Sequence, residues 1–175
     1  MSTTLKWGLI TGMVYIILSL ATNMLGVHES GSQMLGFGMN AIILVATFIT
    51  IYMGVKEARD QDLGGYLTLG QGFLTGFKIA LIAGIISAVF TLIYTKIIDP
   101  DFADKIMEGV EEQWDKAGMP EDQREMARKW TGYMMNPYVL TAISLVSALF
   151  WGLIKGLVAG AMLKKEAPPS TMAGA

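Results

Sequence analysis

Four stretches of this chain are both too apolar and too long for ordinary core helices. They are Leu5 to Leu25, Leu35 to Val55, Gly72 to Ile98 and Pro137 to Leu163, and none holds an aspartate or glutamate. A helix needs roughly 20 mainly apolar residues to cross a hydrocarbon core of about 30 Å, and each stretch meets that length. Lipid offers no water to backbone groups, so such segments must satisfy their hydrogen bonds internally as helices. The expected fold is all-α, a four-helix transmembrane bundle.

Composition points the same way. Of 175 residues, 53% are hydrophobic and 16% charged, against about a quarter charged in soluble domains, and the mean hydropathy is +0.47. The absence of cysteine rules out disulfides, thiolate nucleophiles and thiolate metal sites. With a net charge of -2 and only short charge runs, no nucleic-acid-binding face dominates the sequence, and no nucleic-acid partner is expected. The first stretch resembles a secretory signal, because Lys6 precedes it and Ser19-Leu20-Ala21 looks like a cleavage site. Its apolar run exceeds the roughly 7–15 residues of such a signal, so it is expected to remain as a span.

Four spans put both termini on one side. Lys6, Lys56, Arg59, Lys164 and Lys165 flank that side, while the first connecting loop, GVHESGSQM, has no lysine or arginine. The positive-inside bias makes both termini cytoplasmic. On the other side, residues 99–136 hold ten acidic and five basic side chains, a local charge of −5. This acidic extracytoplasmic insert reads as an amphipathic helical hairpin between helices 3 and 4. Asp99-Pro100 is expected to cap and open its first helix, along which Phe102, Ile106, Val110 and Trp114 recur every fourth residue. Gly118 ends that helix, Pro120 opens the second, and Met126, Trp130, Tyr133 and Met134 line its apolar side. The hairpin is expected to fold over the span ends with its tryptophans near the headgroups. Residues 164–175 read as a flexible cytoplasmic tail.

Apolar side chains gain little by leaving lipid, so membrane helices associate where small residues let backbones approach. Gly72, Gly76, Ala80, Gly84 and Ala88 form one stripe at every fourth position, and Ser144, Ala148, Gly152, Gly156 and Gly160 form another. These ten residues are the expected helix-packing positions, either against each other or, for one stripe, against a second subunit. "GLITG" at Gly8 to Gly12 repeats "GFLTG" at Gly72 to Gly76 and hints at duplication of a helix pair.

Within the spans the notable polar side chains are two lysines. In "GQGFLTGFK" Phe77 separates Gly76 from Lys78, Ile79 follows and no strand precedes, so this is not a phosphate loop. Lys78 lies about 9 Å past Gly72, within snorkelling reach of the headgroups. Lys155 lies roughly 13 Å before Lys164 and reads as the deeper of the two. Snorkelling explains both, and contact with a lipid headgroup or another anion is the functional alternative. His28 beside Glu29 reads as a solvated loop residue, and Asp99, Asp101 and Asp104 read as helix-capping and first-turn acids. No catalytic, cofactor-binding or metal-ligating set is expected.

"KEARDQDLGGYLTLGQGFLTGFKIALIAGIISAVF" (Lys56 to Phe90), "IYTKIIDPDF" (Ile93 to Phe102) and "NPYVL" (Asn136 to Leu140) together resemble domain of unknown function 4199. The resemblance lies in Arg59-Asp60, the paired Gly64-Gly65, and Gly76-Phe77-Lys78, and it covers nearly the whole chain in order. Gln71 departs from it, standing where members often carry a lysine. The resemblance implies four membrane helices with an acidic insert in a bacterial inner membrane, and it carries no activity. The functional expectation is a non-enzymatic accessory or scaffold subunit, in a homo-oligomer or larger membrane complex with lipids around it. The alternative is a small oligomeric transporter, channel or lipid-binding protein using Lys78 and Lys155 on an anionic path.

Overall fold

The computed structural model describes residues 1–27 and 33–166. His28 and Glu29 lie outside these residues, as does the part of the expected tail beyond Glu166. Among the described residues there are six α-helices: α1 (Thr3–Met24), α2 (Gln33–Glu57), α3 (Leu69–Ile93), α4 (Phe102–Lys116), α5 (Glu121–Met134) and α6 (Pro137–Leu163). Four of them, α1, α2, α3 and α6, are long and apolar enough to cross a bilayer. Single widened turns, Ala58–Asp62 and Tyr94–Ile98, extend α2 and α3.

Caps set where these helices begin, which is in places ahead of the apolar run. Ser2 Oγ accepts from the Leu5 N–H and starts α1. At α3 the box is reciprocal. The Gln71 N–H donates to Thr68 Oγ1 at 3.2 Å and the Thr68 N–H donates to Gln71 Oε1 at 2.9 Å, so α3 opens at Leu69, three residues before Gly72. Asn136 caps α6, with Pro137 at the first helical position.

The expected start of the hairpin is corrected. Pro100 does not open a helix. The widened turn carries α3 to Ile98, Asp99 and Pro100 form a turn in which the Phe102 N–H donates to the Asp99 carbonyl, and α4 begins at Phe102. Asp99 is held by Lys105 at 3.0 Å, and Asp101 at the cap position makes no side-chain capping bond. Gly118 ends α4 with a φ of +64°, a left-handed conformation suited to glycine.

The four long helices form a square with α1 and α6 flanking α3, and α2 completing it. Its α3–α6 edge is the tightest. A methyl placed at Gly72 would lie 2.5 Å from Gly160 Cα, and one at Gly76 would lie 2.5 Å from Gly156 Cα. One at Gly152 would collide with Ala80 Cβ, and one at Gly84 would meet Ala148 Cβ at 3.2 Å. Each step of four along α3 is matched by a step of four back along α6, as antiparallel helices require. Ala88 and Ser144 close the series by that register. In α1 the two glycines face branched side chains instead: methyls at Gly8 and Gly12 would meet Ile82 and Ile86 of α3 at 2.6 and 2.9 Å.

The end of the bundle where α1 begins and α6 ends is the well-packed one. Ile51, Val55, Leu67, Ile79, Ala159 and Leu163 are buried there, with Trp7 packed against them. Leu67 and Lys165 exchange two backbone hydrogen bonds of 2.8 and 2.9 Å, tying the approach to α3 to the exit of α6. Lys165, expected at the start of a flexible tail, is therefore held in place. At this end Glu57 accepts from Lys6 Nζ at 2.5 and 2.7 Å and from Trp7 Nε1 at 3.0 Å.

Candidate functional site

Toward the opposite end α2 separates from α6. From Met34 to Val45 nearly every residue of α2 is exposed on the bundle surface, and methyls at Gly36 or Gly38 would touch nothing within 4 Å. The separation leaves a cleft of about 650 Å³, within the range of small-molecule sites. Its side walls come from α2 and α6, and α1 and α3 form its back. Apolar groups such as Phe37, Leu44, Ile51 and Trp151 share the lining with Thr11, Tyr15, Asn40, Thr47, Ser87, Ser144 and Ser147.

Among the described residues Lys155 is the only charged side chain lining this cleft, and none of them brings a carboxylate to it. Its Nζ donates to Thr47 Oγ1 at 2.6 Å, and Thr47 in turn donates to the Ile43 carbonyl at 2.7 Å. An ammonium has three N–H donors, and Thr47 takes one. Several other hydroxyls are already committed to helix carbonyls: Thr11 to Trp7, Ser87 to Gly84 and Ser144 to Thr141. The cleft thus presents a cation with spare donor capacity and a set of acceptor oxygens along largely apolar walls.

The two lysines of the sequence reading part company here. Lys155 has the deeper ammonium, although the two backbones stand level. A methyl at Gly156 would lie 3.1 Å from the Phe77 nitrogen, so Lys155 and Lys78, each next in sequence to that contact, sit at the same height. What differs is direction. Side chains tilt toward the N-terminus of their helix. α3 begins at the end where α1 begins and α6 ends, so Lys78 inclines toward the nearer headgroups, and it is exposed on the outer face of α3. α6 runs the other way, so Lys155 inclines toward the middle of the bundle, where it meets Thr47 one turn above Ile51.

Eight of the ten stripe residues meet across the α3–α6 seam, and Ala80, Gly84, Ser144, Ala148 and Gly152 also line the cleft. The model of the family described as protein of unknown function (DUF4199) matches residues 6–165, from the lysine that pairs with Glu57 to the lysine that pairs with Leu67.

The chain belongs to the DUF4199 family.

No curated protein and no solved structure matches it. For this DUF4199 member the paired glycines noted in the sequence have a structural reason: Gly64 and Gly65 have φ of +64° and +86°, reversing the chain between α2 and α3. Sequence reasoning missed Thr47, Asn40, Ser87 and Ser147. Hydroxyl residues inside apolar runs were the available signal, since a serine or threonine at membrane depth must find a partner.

The hairpin is the second notable feature. Arg124 bonds Asp115 and, at 2.6 Å, the Met119 carbonyl, while Arg128 bonds Glu111 at 2.6 Å, clasping α5 to α4. The Glu111 carboxylate pushes the Arg128 guanidinium above its ordinary pKa. Tyr94 and Phe102 meet edge to face at 5.6 Å and join α4 to the end of α3. Met126, Trp130, Tyr133 and Met134 on α5 are exposed.

Proposed function

We propose that this DUF4199 protein is a non-enzymatic integral membrane protein of the bacterial inner membrane, with both termini cytoplasmic, that holds an anionic ligand in the cleft between α2 and α6. One observation carries the reading: Lys155 directs its ammonium into an intramembrane cavity where its partner is a hydroxyl. A cation at membrane depth is costly, and such residues mark substrate or ion sites when they face a bundle interior. An oxyanion, as carboxylate or phosphate, supplies the missing countercharge, and the spare N–H groups of the Lys155 ammonium, with the second amide N–H of Asn40, are donors for it. Nothing in the cleft assembles a nucleophile with a base, and binding alone is the role proposed.

The expected accessory or scaffold role rested on the glycine stripes and the extracytoplasmic hairpin, with contact to a second subunit as the alternative for one stripe. Both stripes meet each other within one chain, so lipid is the partner favoured for the remaining faces of α2 and α6. Native mass spectrometry of the protein in mild detergent tests the cleft, with oleate, phosphatidylglycerol and inorganic phosphate as separate probes. Binding of any one by the native chain and by Lys78→Met, but not by Lys155→Met, supports the proposal, and the responding probe distinguishes an amphiphile from a free anion. Equal binding by Lys155→Met, or no binding of any probe by the native chain, overturns it.

A further inference from the structure

The second helix of the hairpin presents a face that no described part of the chain covers. Trp130 is 62% exposed, Tyr133 63% and Met126 66%, with Met134 beside them. These side chains point away from α4. Arg124 and Arg128, which clasp α4 through Asp115 and Glu111, lie two residues before Met126 and Trp130, about 200° around the helix. The row is therefore neither the inner seam of the hairpin nor a lid packed on the bundle.

Where this row sits follows from the chain itself. α5 ends at Met134, and after Met135 and Asn136 the membrane-length helix α6 begins at Pro137. Trp130 is seven residues from Pro137, about 10 Å along a helix, so α5 cannot leave the neighbourhood of the bilayer surface. The row also continues directly into the outer face of α6. Tyr138, Ile143, Val146 and Phe150 are exposed in sequence down that helix. Beside Tyr138, the Lys96 ammonium stands 4.5 Å over its ring and donates to its hydroxyl at 3.1 Å, and the neighbouring Ile97 and Ile98 are exposed. Tryptophan, tyrosine and a lysine grouped at the end of a span are what the headgroup boundary selects, because each has an apolar body and a polar tip.

We propose that α5 is an interfacial helix, lying in the headgroup layer with Met126, Trp130, Tyr133 and Met134 seated at the hydrocarbon boundary of the leaflet at the hairpin end. The occupant of this face is a lipid surface. The acidic residues of α4 and the first turn of α5, among them Asp104, Glu108, Glu112 and Glu121, then form the water-facing edge. This arrangement is independent of any ligand in the cleft: it needs only the span, the hairpin clasp and the exposed row.

The chain has no cysteine, so single-cysteine variants of the full-length protein can be spin-labelled cleanly in liposomes. Trp130→Cys and Tyr133→Cys report the proposed lipid face, Met126→Cys adds a third position in the same row, and Glu112→Cys reports the water edge. Collision with oxygen, which partitions into lipid, is compared with collision with a water-soluble nickel chelate. Oxygen collisions exceeding nickel collisions at positions 126, 130 and 133, with the reverse at 112, is the expected result. Nickel dominance at all four positions overturns the proposal. Shielding of positions 126, 130 and 133 from both reagents also overturns it, since that result means a protein surface or a second copy covers the row.

Discussion

Alanine at Gly76 tests the α3–α6 seam most directly. Its methyl would lie 2.5 Å from the Gly156 Cα, whereas carbon atoms rest at roughly 3.5–4.0 Å. The obstacle is backbone on a packed helix and cannot rotate away, so the helices must separate by about 1–1.5 Å. A gap of that order forfeits a quarter to a half of the dispersion attraction of the atoms that lose contact, and overpacking of this kind costs about 1–3 kcal/mol. Gly38→Ala is the control, because its methyl meets nothing within 4 Å and helix propensity favours alanine by roughly 1 kcal/mol or less. Reversible unfolding in mixed micelles, followed by tryptophan fluorescence, should show Gly76→Ala destabilised and Gly38→Ala unchanged or slightly stabilised. The reciprocal pair sharpens the test. Gly152→Ala collides with the Ala80 methyl, so adding Ala80→Gly should recover most of the loss, a coupling that only direct contact produces. Equal stability of Gly76→Ala and Gly38→Ala would refute the seam as described.

Three further outcomes follow from the same geometry. Thr68→Ala removes one half of the reciprocal cap on α3 and should cost about 1 kcal/mol in the same unfolding assay. Thr50→Val removes the 2.9 Å contact between the Thr50 and Thr11 hydroxyls that joins α2 to α1, a loss of about 0.6 kcal/mol if it follows the average interhelical hydrogen bond in lipid. Lys155→Met should raise the stability of ligand-free protein by up to about 3 kcal/mol, the order of the insertion cost of a central charge, less the bond to Thr47. A drop in stability instead would mean that the lysine is retained for structure.

The spans and the seam were legible because their physics is local. Apolar length fixes where a helix can cross, and small residues at every fourth position mark a face whatever the partner. The register of Gly72 on Gly160 then needs only antiparallel helices. The short Gly8 and Gly12 pair was visible too, but its partners, Ile82 and Ile86, were not, because a large side chain opposite a glycine leaves no pattern of its own. The cleft was not legible for a different reason: it exists where α2 fails to pack, and Phe37, Asn40 and Leu44 look the same in sequence whether they face a neighbour or a gap. The start of α4 misled because Asp99-Pro100 carries the letters of a cap, while the widened turn at Tyr94–Ile98 leaves it two residues ahead of the observed start at Phe102. The start of α3 was readable from Thr68 and Gln71, three residues apart in the capping-box pattern, and missing it made the backbone at Lys78 look shallower than that at Lys155.

That equal height is what makes the difference between the two lysines informative. The same charge at the same level meets opposite conditions because the two helices run in opposite directions. On α3 the backbone aims Lys78 toward water, so its stem can cover most of the distance to the headgroups and little free energy is at stake. On α6 the backbone aims Lys155 away from the nearer surface, and reaching that surface would require folding the side chain back past Gly156 and Ala159, where α3 is packed. A lysine needed only as an anchor at this height would therefore sit on α3, as Lys78 does. Placing a second one on α6, over a cavity where no carboxylate is found among the described lining residues, gives a positive site that the proposed anionic ligand would neutralise. On the proposed function, the direction of α6 matters more than the presence of the lysine.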